Sequence, residues 1–235
     1  MTNKSYFKIS RTWSFDNKVS KAFDKHVKQS IPLYDKFHKQ ISKIAEFYCK
    51  DESLIYDLGC STGKFINQIS KIKKKNLSIV GIDDSKKMIE ICKLKTKNIK
   101  RNKIILKCGD MFDIKFEKSD LIICCLVLPF FTREKQEKLI KKIYKSLNNG
   151  GAAIFLNKSI SKFPHFENIS NQLYYDFKVS KGISSEDILK KTQSLRSVHT
   201  TNTTESDEVF LKKVGFQKID IFFKYLNFTG FLVEK

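Results

Sequence analysis

Apolar positions along this chain alternate between two spacings. Apolar-rich runs at 54–58, 77–82, 103–107, 121–127 and 152–156 have the length of strands buried on both faces. Between them the apolar residues recur every three or four positions, as in Phe65, Ile66 and Ile69, then Met88, Ile89 and Cys92, then Leu139, Ile140, Ile143 and Leu147. That spacing predicts a helix over 62–72, a second over 85–95 with Ser85 as its N-cap, and a third capped by Thr132 and running to about Leu147. Asn148-Asn-Gly-Gly151 is expected to end the third helix. Strand and helix in regular alternation predict an α/β fold, a parallel sheet with helices on both faces and right-handed crossovers.

The flanks break the alternation. Val19, Ala22, Phe23, His26 and Val27 share one face of a helix from about Asp16 to Gln29, preceded by Trp13 and Phe15 as apolar plugs. Ser30-Ile-Pro32 stops it and starts another, with Pro32 expected in the first turn and Leu33, Phe37, Ile41, Ile44 and Tyr48 as the stripe. Tyr34 stands at the edge of that stripe, as a lid over a ligand or as packing. Beyond the last strand of the alternation, Phe163, Phe166, Ile169, Leu173 and Phe177 mark a helix, and Ser184 with Asp187 caps another to about Leu195. Residues 197–204, rich in Thr, Ser and Asn, are expected to form a mobile loop near a site. A short helix ends at Gly215, and runs at 219–226 and 228–233 read as a closing antiparallel hairpin. One domain spanning 1–235 is expected, with a helical lid over 1–50 and a helical insertion over 160–205.

Composition narrows the partners. The net charge is +20, and half of it falls in residues 71–107, which carry thirteen Lys or Arg against Asp83, Asp84 and Glu90. Yet the chain holds 41 lysines and only four arginines, whereas phosphate-reading surfaces favour the planar arginine fork. Direct nucleic-acid binding is therefore not expected. The longest apolar run, 121–131, is eleven residues, well short of a membrane span. No apolar signal core opens the chain, and six cysteines without a Cys-x-x-Cys pair suggest reduced thiols in a cytoplasmic protein. The four histidines are scattered, so no metal site is expected.

The chemistry concentrates in Asp57-Leu-Gly-Cys-Ser-Thr-Gly63, where a strand runs into a glycine turn and a helix begins. Small side chains let a ligand approach the backbone, and the N–H groups opening the helix are free for an anion. The next strand ends in Asp83, placed to accept ribose hydroxyls at the switch point of a parallel sheet. A pyrophosphate would want Gly-x-Gly-x-x-Gly, which is absent.

This pattern resembles the first motif of the class I S-adenosylmethionine-dependent methyltransferases, which implies their Rossmann-like fold. In that family Asp83 would hold the ribose, Asp110 would lie near the adenine and the methionine end would lie over the 59–63 turn. Over nearly its whole length the chain is similar to the carboxy-S-adenosylmethionine synthases. The matching stretches include Trp13-Ser-Phe-Asp16, Ser30-Ile-Pro-Leu-Tyr34, Tyr56-Asp-Leu-Gly-Cys-Ser61, Gly81-Ile-Asp83, Met88-Ile89, Gly109-Asp110, Lys142-Ile-Tyr144, Tyr175-Asp-Phe-Lys178 and Asn227-Phe228. The resemblance implies that Tyr34, Gly59, Cys60, Ser61, Asp83, Asp84, Asp110 and Met111 line the nucleoside pocket. Asp57, Gly63, Met88 and Cys125 complete the cofactor-binding candidates. It further implies a homodimer, and carboxyl transfer from prephenate to S-adenosylmethionine, whose carboxylated product serves tRNA wobble-uridine modification.

Three positions depart from that family. Thr192, beside Lys191, stands where its carboxylate-binding Arg is expected; Asn157 replaces an acid, and Cys125 replaces an Asn. Arg196 lies one helical turn after Thr192 and is placed to reach back. A carboxylate without a cation is costly to bury, whereas methyl transfer needs mainly in-line positioning. The sequence therefore favours a methyltransferase of unknown small-molecule acceptor, narrowly over carboxy-S-adenosylmethionine synthesis. A non-catalytic module binding S-adenosylmethionine and RNA is the third reading. No catalytic residue stands out; Tyr174, Tyr175, Arg196 and His199 are the candidates.

Overall fold

The structure, a computed structural model, describes residues 17–196 and 198–235. Trp13, Phe15 and Asp16 of the expected lid lie outside the described residues, as does the packing of Val19 and Ala22. Seven strands form one sheet: β1 (Leu54–Leu58), β2 (Ser78–Asp83), β3 (Lys103–Cys108), β4 (Ser119–Cys125), β5 (Leu147–Lys158), β6 (Lys218–Tyr225) and β7 (Phe228–Glu234). Their order is β3-β2-β1-β4-β5-β7-β6. The first five run parallel, and β7 pairs antiparallel with both β5 and β6. Strand order reverses between β1 and β4, so the ligand-binding crevice of such a sheet falls at the C-terminal ends of these two strands.

Among the described residues eight α-helices pack around it: α1 (Asn17–Ser30), α2 (Tyr34–Tyr48), α3 (Lys64–Ile69), α4 (Lys86–Thr96), α5 (Arg133–Ser146), α6 (Pro164–Ser180), α7 (Ser185–Leu195) and α8 (Thr204–Val214). Alternation within each strand sends side chains to two cores. Ile55, Ile79, Ile123 and Ile154 pack with Phe37, Ile41 and Ala45 of α2 on one face. Tyr56, Val80, Ile122 and Phe155 pack with Leu139 and Ile143 of α5 and Phe210 of α8 on the other. The expected caps form: Ser85 Oγ accepts from the Met88 N–H at 3.4 Å, Thr132 Oγ1 from Lys135 at 3.5 Å and Ser184 Oγ from Asp187 at 3.1 Å.

Several boundaries move, for identifiable reasons. The helix expected over 62–72 is only Lys64–Ile69, because Gly63 at φ +81° opens it and the Lys71–Lys75 charge run follows. Pro32 precedes α2 rather than sitting in its first turn, and Leu33 takes a left-handed φ of 55° at the N-cap. Asn148–Gly151 does not merely end α5 but lies within β5. There the chain's last residue pairs with it: Gly150 N–H donates to the Lys235 carbonyl and Lys235 N–H to that of Gly151, both at 3.0 Å. The α6 stripe of Phe163, Phe166, Ile169 and Leu173 faces solvent, because both sheet faces are already covered and α6 packs through Tyr174 and Lys178. Residues expected as a mobile loop are instead tied down: Thr200 N–H donates to the Pro129 carbonyl at 2.7 Å, and Asn202 Nδ2 to Gln136 Oε1 at 2.8 Å.

Candidate functional site

At the end of β1 the backbone turns under tight constraint. Gly59 has φ +69°, and a Cβ added there would stand 2.4 Å from Val127 Cγ2. The Gly59 and Cys60 N–H groups donate to the Ile82 carbonyl at 2.8 and 3.0 Å, which binds the turn to β2. Ser61, with φ 49°, donates its N–H to Asp83 Oδ2 at 2.9 Å, and the Ser85 N–H donates to Oδ1 at 3.0 Å. Two amides thus fix the Asp83 carboxylate while each oxygen retains a lone pair for a ligand hydroxyl. Burial raises its pKa to about 6. Beneath the turn, Ser61 Oγ donates to the sulfur of buried Met88 at 3.6 Å.

Asp57, on β1 just before this turn, is 1% exposed, and its Oδ2 makes no hydrogen bond. Burial, reinforced by neighbouring Asp83, pushes its pKa up to about 8. An orphaned buried carboxyl is a costly feature that a cationic ligand would relieve. Tyr34 is buried above the same region. Burial raises its phenol, with Asp24, Asp57 and Cys125 adding to the effect, so its hydroxyl sits among the site's acids. Lys64 Nζ lies 4.1 Å from the Tyr34 ring centroid. Thr62, inside the turn, donates to Asp24 Oδ1 of α1 at 2.7 Å, which anchors the first helix over the turn.

The segment after β3 is held from the far side of the sheet. Lys142 of α5 donates to the carbonyls of Met111 and Phe112, both at 2.8 Å, and of Ile114 at 2.7 Å. Asp110 Oδ1 accepts from the Phe112 N–H at 2.8 Å, so Asp110 sits at the exposed rim and Met111 turns inward. Sequence reasoning did not assign this clamp a role, although Lys142 lies in a matched stretch.

A second group of polar side chains lies farther along the same edge. β4 ends at Cys125, and Leu126 (φ 60°) donates its N–H to the Leu156 carbonyl. This places the end of β5, with Asn157 and Lys158, two strand spacings or roughly 10 Å from the end of β1. Asn157 Oδ1 and His199 Nε2 are buried without a hydrogen bond. The His199 ring packs on Phe130 at 4.7 Å. Lys158 and Lys178 lie 5.2 and 4.0 Å from the Tyr174 ring centroid. Lys191 Nζ meets His26 Nε2 at 2.6 Å. Burial and the adjacent lysines drive the His26 pKa down to about 3 and that of His199 to about 4, so both imidazoles are neutral.

Of the expected site residues, Tyr34, Asp57, Gly59, Cys60, Ser61, Gly63, Asp83, Met88 and Cys125 gather at the β1, β2 and β4 ends. Asp84 is exposed beside them. Tyr174 and His199 join the lysine group, and Tyr175, 37% exposed, borders it with its ring centroid 5.7 Å from Lys178 Nζ. Arg196 does not reach back: it is exposed, just past α7. Thr192 Oγ1 donates to the Ile188 carbonyl of its own helix at 2.9 Å. Among the described residues no cluster of three His, Cys, Asp or Glu could hold a metal, and no helix is long and apolar enough to cross a membrane.

Residues 55–151 match the methyltransferase domain family. The chain is 36% identical over 224 residues to a protein of Staphylococcus epidermidis named carboxy-S-adenosyl-L-methionine synthase, covering 95% of this chain and 97% of that one. A protein of the same name from Nautilia profundicola is 33% identical, over 97% of this chain and 96% of its own. Among solved structures, a putative O-methyltransferase from Nostoc punctiforme superposes with a TM-score of 0.66 at 16% identity, covering 93% of this chain and 59% of that one. An S-adenosylmethionine-dependent methyltransferase from Methanosarcina mazei gives 0.59 at 16% identity, covering 82% and 96%.

Proposed function

The chain belongs to the carboxy-S-adenosyl-L-methionine synthase family of S-adenosylmethionine-dependent transferases, and from that premise we propose that it transfers a carboxyl group, lost by the co-substrate as a carbon dioxide unit, to the cofactor's methyl carbon, where a C–C bond replaces a C–H bond whose proton is released. The residues at the β1–β2 edge fit the cofactor: Asp83 for the ribose, the 59–63 turn for the methionine carboxylate, Asp57 for its ammonium, and Asp110 with Met111 for the adenine. When bound, S-adenosylmethionine supplies a methyl group activated by the adjacent sulfonium. The chain's part is to orient that group beneath Tyr34, exclude water and receive an anionic co-substrate such as prephenate.

The observation that carries this reading is the electropositive group formed by Lys158, Lys178 and Lys191 with two neutral imidazoles. Both chemistries release a proton, from the nucleophile in methyl transfer and from the sulfonium methyl carbon in carboxyl transfer, so the poorly basic His26 and His199 do not separate the two. A carboxylated product wants cations. The weight that the sequence alone gave to methyl transfer rested on the missing Arg, and buried Lys178 with half-buried Lys158 and Lys191 offsets that loss. With S-adenosylmethionine and prephenate, we expect the protein to form a nucleoside heavier than the cofactor by one carbon dioxide, read by mass spectrometry. Demethylated cofactor accumulating instead would favour the methyltransferase reading.

The ribose assignment has its own check. Asp83→Ala is expected to weaken S-adenosylmethionine binding by about 1.5–3 kcal/mol, through lost charge-assisted hydrogen bonds. Unchanged affinity in a calorimetric titration would remove Asp83 from the site. The family resemblance implies a homodimer, and a product that would pass to a separate tRNA-modifying enzyme.

A further inference from the structure

We propose that Lys158 and Lys178, both against the Tyr174 ring, form the clamp that holds the transferred carboxylate in this chain, the role that the family resemblance gives to an Arg at Thr192. This rests on the carboxyl-transfer reading and names the residues that make it possible here.

Lys158 closes β5 at the ligand-binding edge of the sheet, and Lys178 comes from the last turns of α6. Twenty residues apart in sequence, their ammonium groups both lie against one buried ring, 5.2 and 4.0 Å from its centroid, and Lys178 feels the charge of Lys158. Lys178 is only 6% exposed. Among the described residues neither ammonium has an ion pair or a hydrogen-bond acceptor. The acid sensed by Lys158 is Glu167, but its oxygens accept from the Ser161 N–H at 2.8 Å and from Asn171 Nδ2 at 2.9 Å. Ring contacts offset part of the cost of burying an ammonium, but not the mutual repulsion of two. Lys191 adds a third positive charge nearby. Burial, with repulsion from Lys191 and Lys158, depresses the Lys178 pKa to about 7, and burial lowers that of Lys158.

A carboxylate answers this arrangement, because its two oxygens can accept from both ammonium groups and cancel their repulsion. Neither alternative cation position competes. Thr192 spends its hydroxyl proton on the Ile188 carbonyl, and Arg196 lies in solvent. The pair also explains why a lysine occupies the interior of α6 on a face that otherwise packs Tyr174 against Phe228.

The test titrates the complete protein with S-adenosylmethionine and with carboxy-S-adenosylmethionine by calorimetry, for the parent chain and for Lys158→Met, Lys178→Met and Lys178→Arg. The parent should prefer the carboxylated form. Each Met variant should cut that preference roughly 10- to 100-fold with affinity for S-adenosylmethionine little changed, and Lys178→Arg should keep most of it. The Met variants without ligand should also melt higher than the parent, because a buried uncompensated charge is gone, whereas lysines with a merely structural role would leave them melting lower. A preference untouched in both Met variants overturns the clamp even if the carboxylated product still forms. A parent that binds S-adenosylmethionine, shows no preference and makes no carboxylated product overturns the carboxyl-transfer reading itself. Should Lys178→Met fail to fold, Lys178→Arg and Lys158→Met still decide: loss of preference in Lys158→Met alone supports the clamp, and its retention overturns it.

Discussion

Asp57→Asn is expected to stabilise the ligand-free protein while costing it the cofactor. The carboxyl is buried, its Oδ2 has no partner, and its pKa stands at about 8. An unfolded chain ionises this group near 4, so between pH 4 and 8 the unfolded state binds fewer protons than the folded one. Stability contributed by this site therefore falls as pH rises through that window, and the full penalty is present above pH 8. Asparagine cannot ionise, which removes the penalty but leaves an unpaired amide in its place. The net gain at pH 8 should be on the order of 1–3 kcal/mol, shrinking as pH falls towards 4. Thermal melts of both proteins across that range check the sign.

Cofactor binding should move the other way. Pairing Asp57 with the cofactor's ammonium ionises the carboxyl, so the parent should release a proton on binding below about pH 8. Its affinity should rise with pH over the same window. Losing one buried charge-assisted hydrogen bond costs about 1.5–3 kcal/mol, or roughly 10- to 100-fold, and Asp57→Asn should lose both that affinity and its pH dependence. A variant that binds as tightly as the parent would leave the orphaned carboxyl without a function.

Much of this site was legible in the sequence because its parts are local. The β1 turn, Gly63 opening α3, Ser85 capping α4 and Asp83 ending β2 each follow from neighbours within a few residues, and the sheet order then brings their ends together. Pairing over long separations was not legible. β5 begins at Leu147 because that residue pairs with Ser119 of β4, and Lys235, 88 residues away, extends the pairing by bonding to Gly150 and Gly151 and donating its Nζ to the Leu147 carbonyl at 3.0 Å. The same limit hid the lysine pair. Lys178 meets Tyr174 one turn back in its own helix, but it looks like any solvated helix lysine until tertiary packing buries that turn beside a strand-end lysine. The position of Lys158 at the C-terminal end of a parallel strand was the available signal. Periodicity also misled on α6, since an apolar stripe predicts burial without saying against what, and here Phe163, Phe166, Ile169 and Leu173 remain exposed.

Carboxyl transfer, the central claim, predicts which nucleoside this protein retains when purified without added ligand from a host that makes prephenate. A clamp of buried Lys178 and half-buried Lys158 should hold the carboxylated form through purification, because a charge-assisted carboxylate contact adds about 1.5–3 kcal/mol to interactions that both forms share. Mass spectrometry of the released small molecule should therefore show carboxy-S-adenosylmethionine, and Lys178→Met prepared in parallel should carry less of it. Retention of S-adenosylmethionine or its demethylated product alone, with no carboxylated nucleoside in the parent protein, would contradict the account.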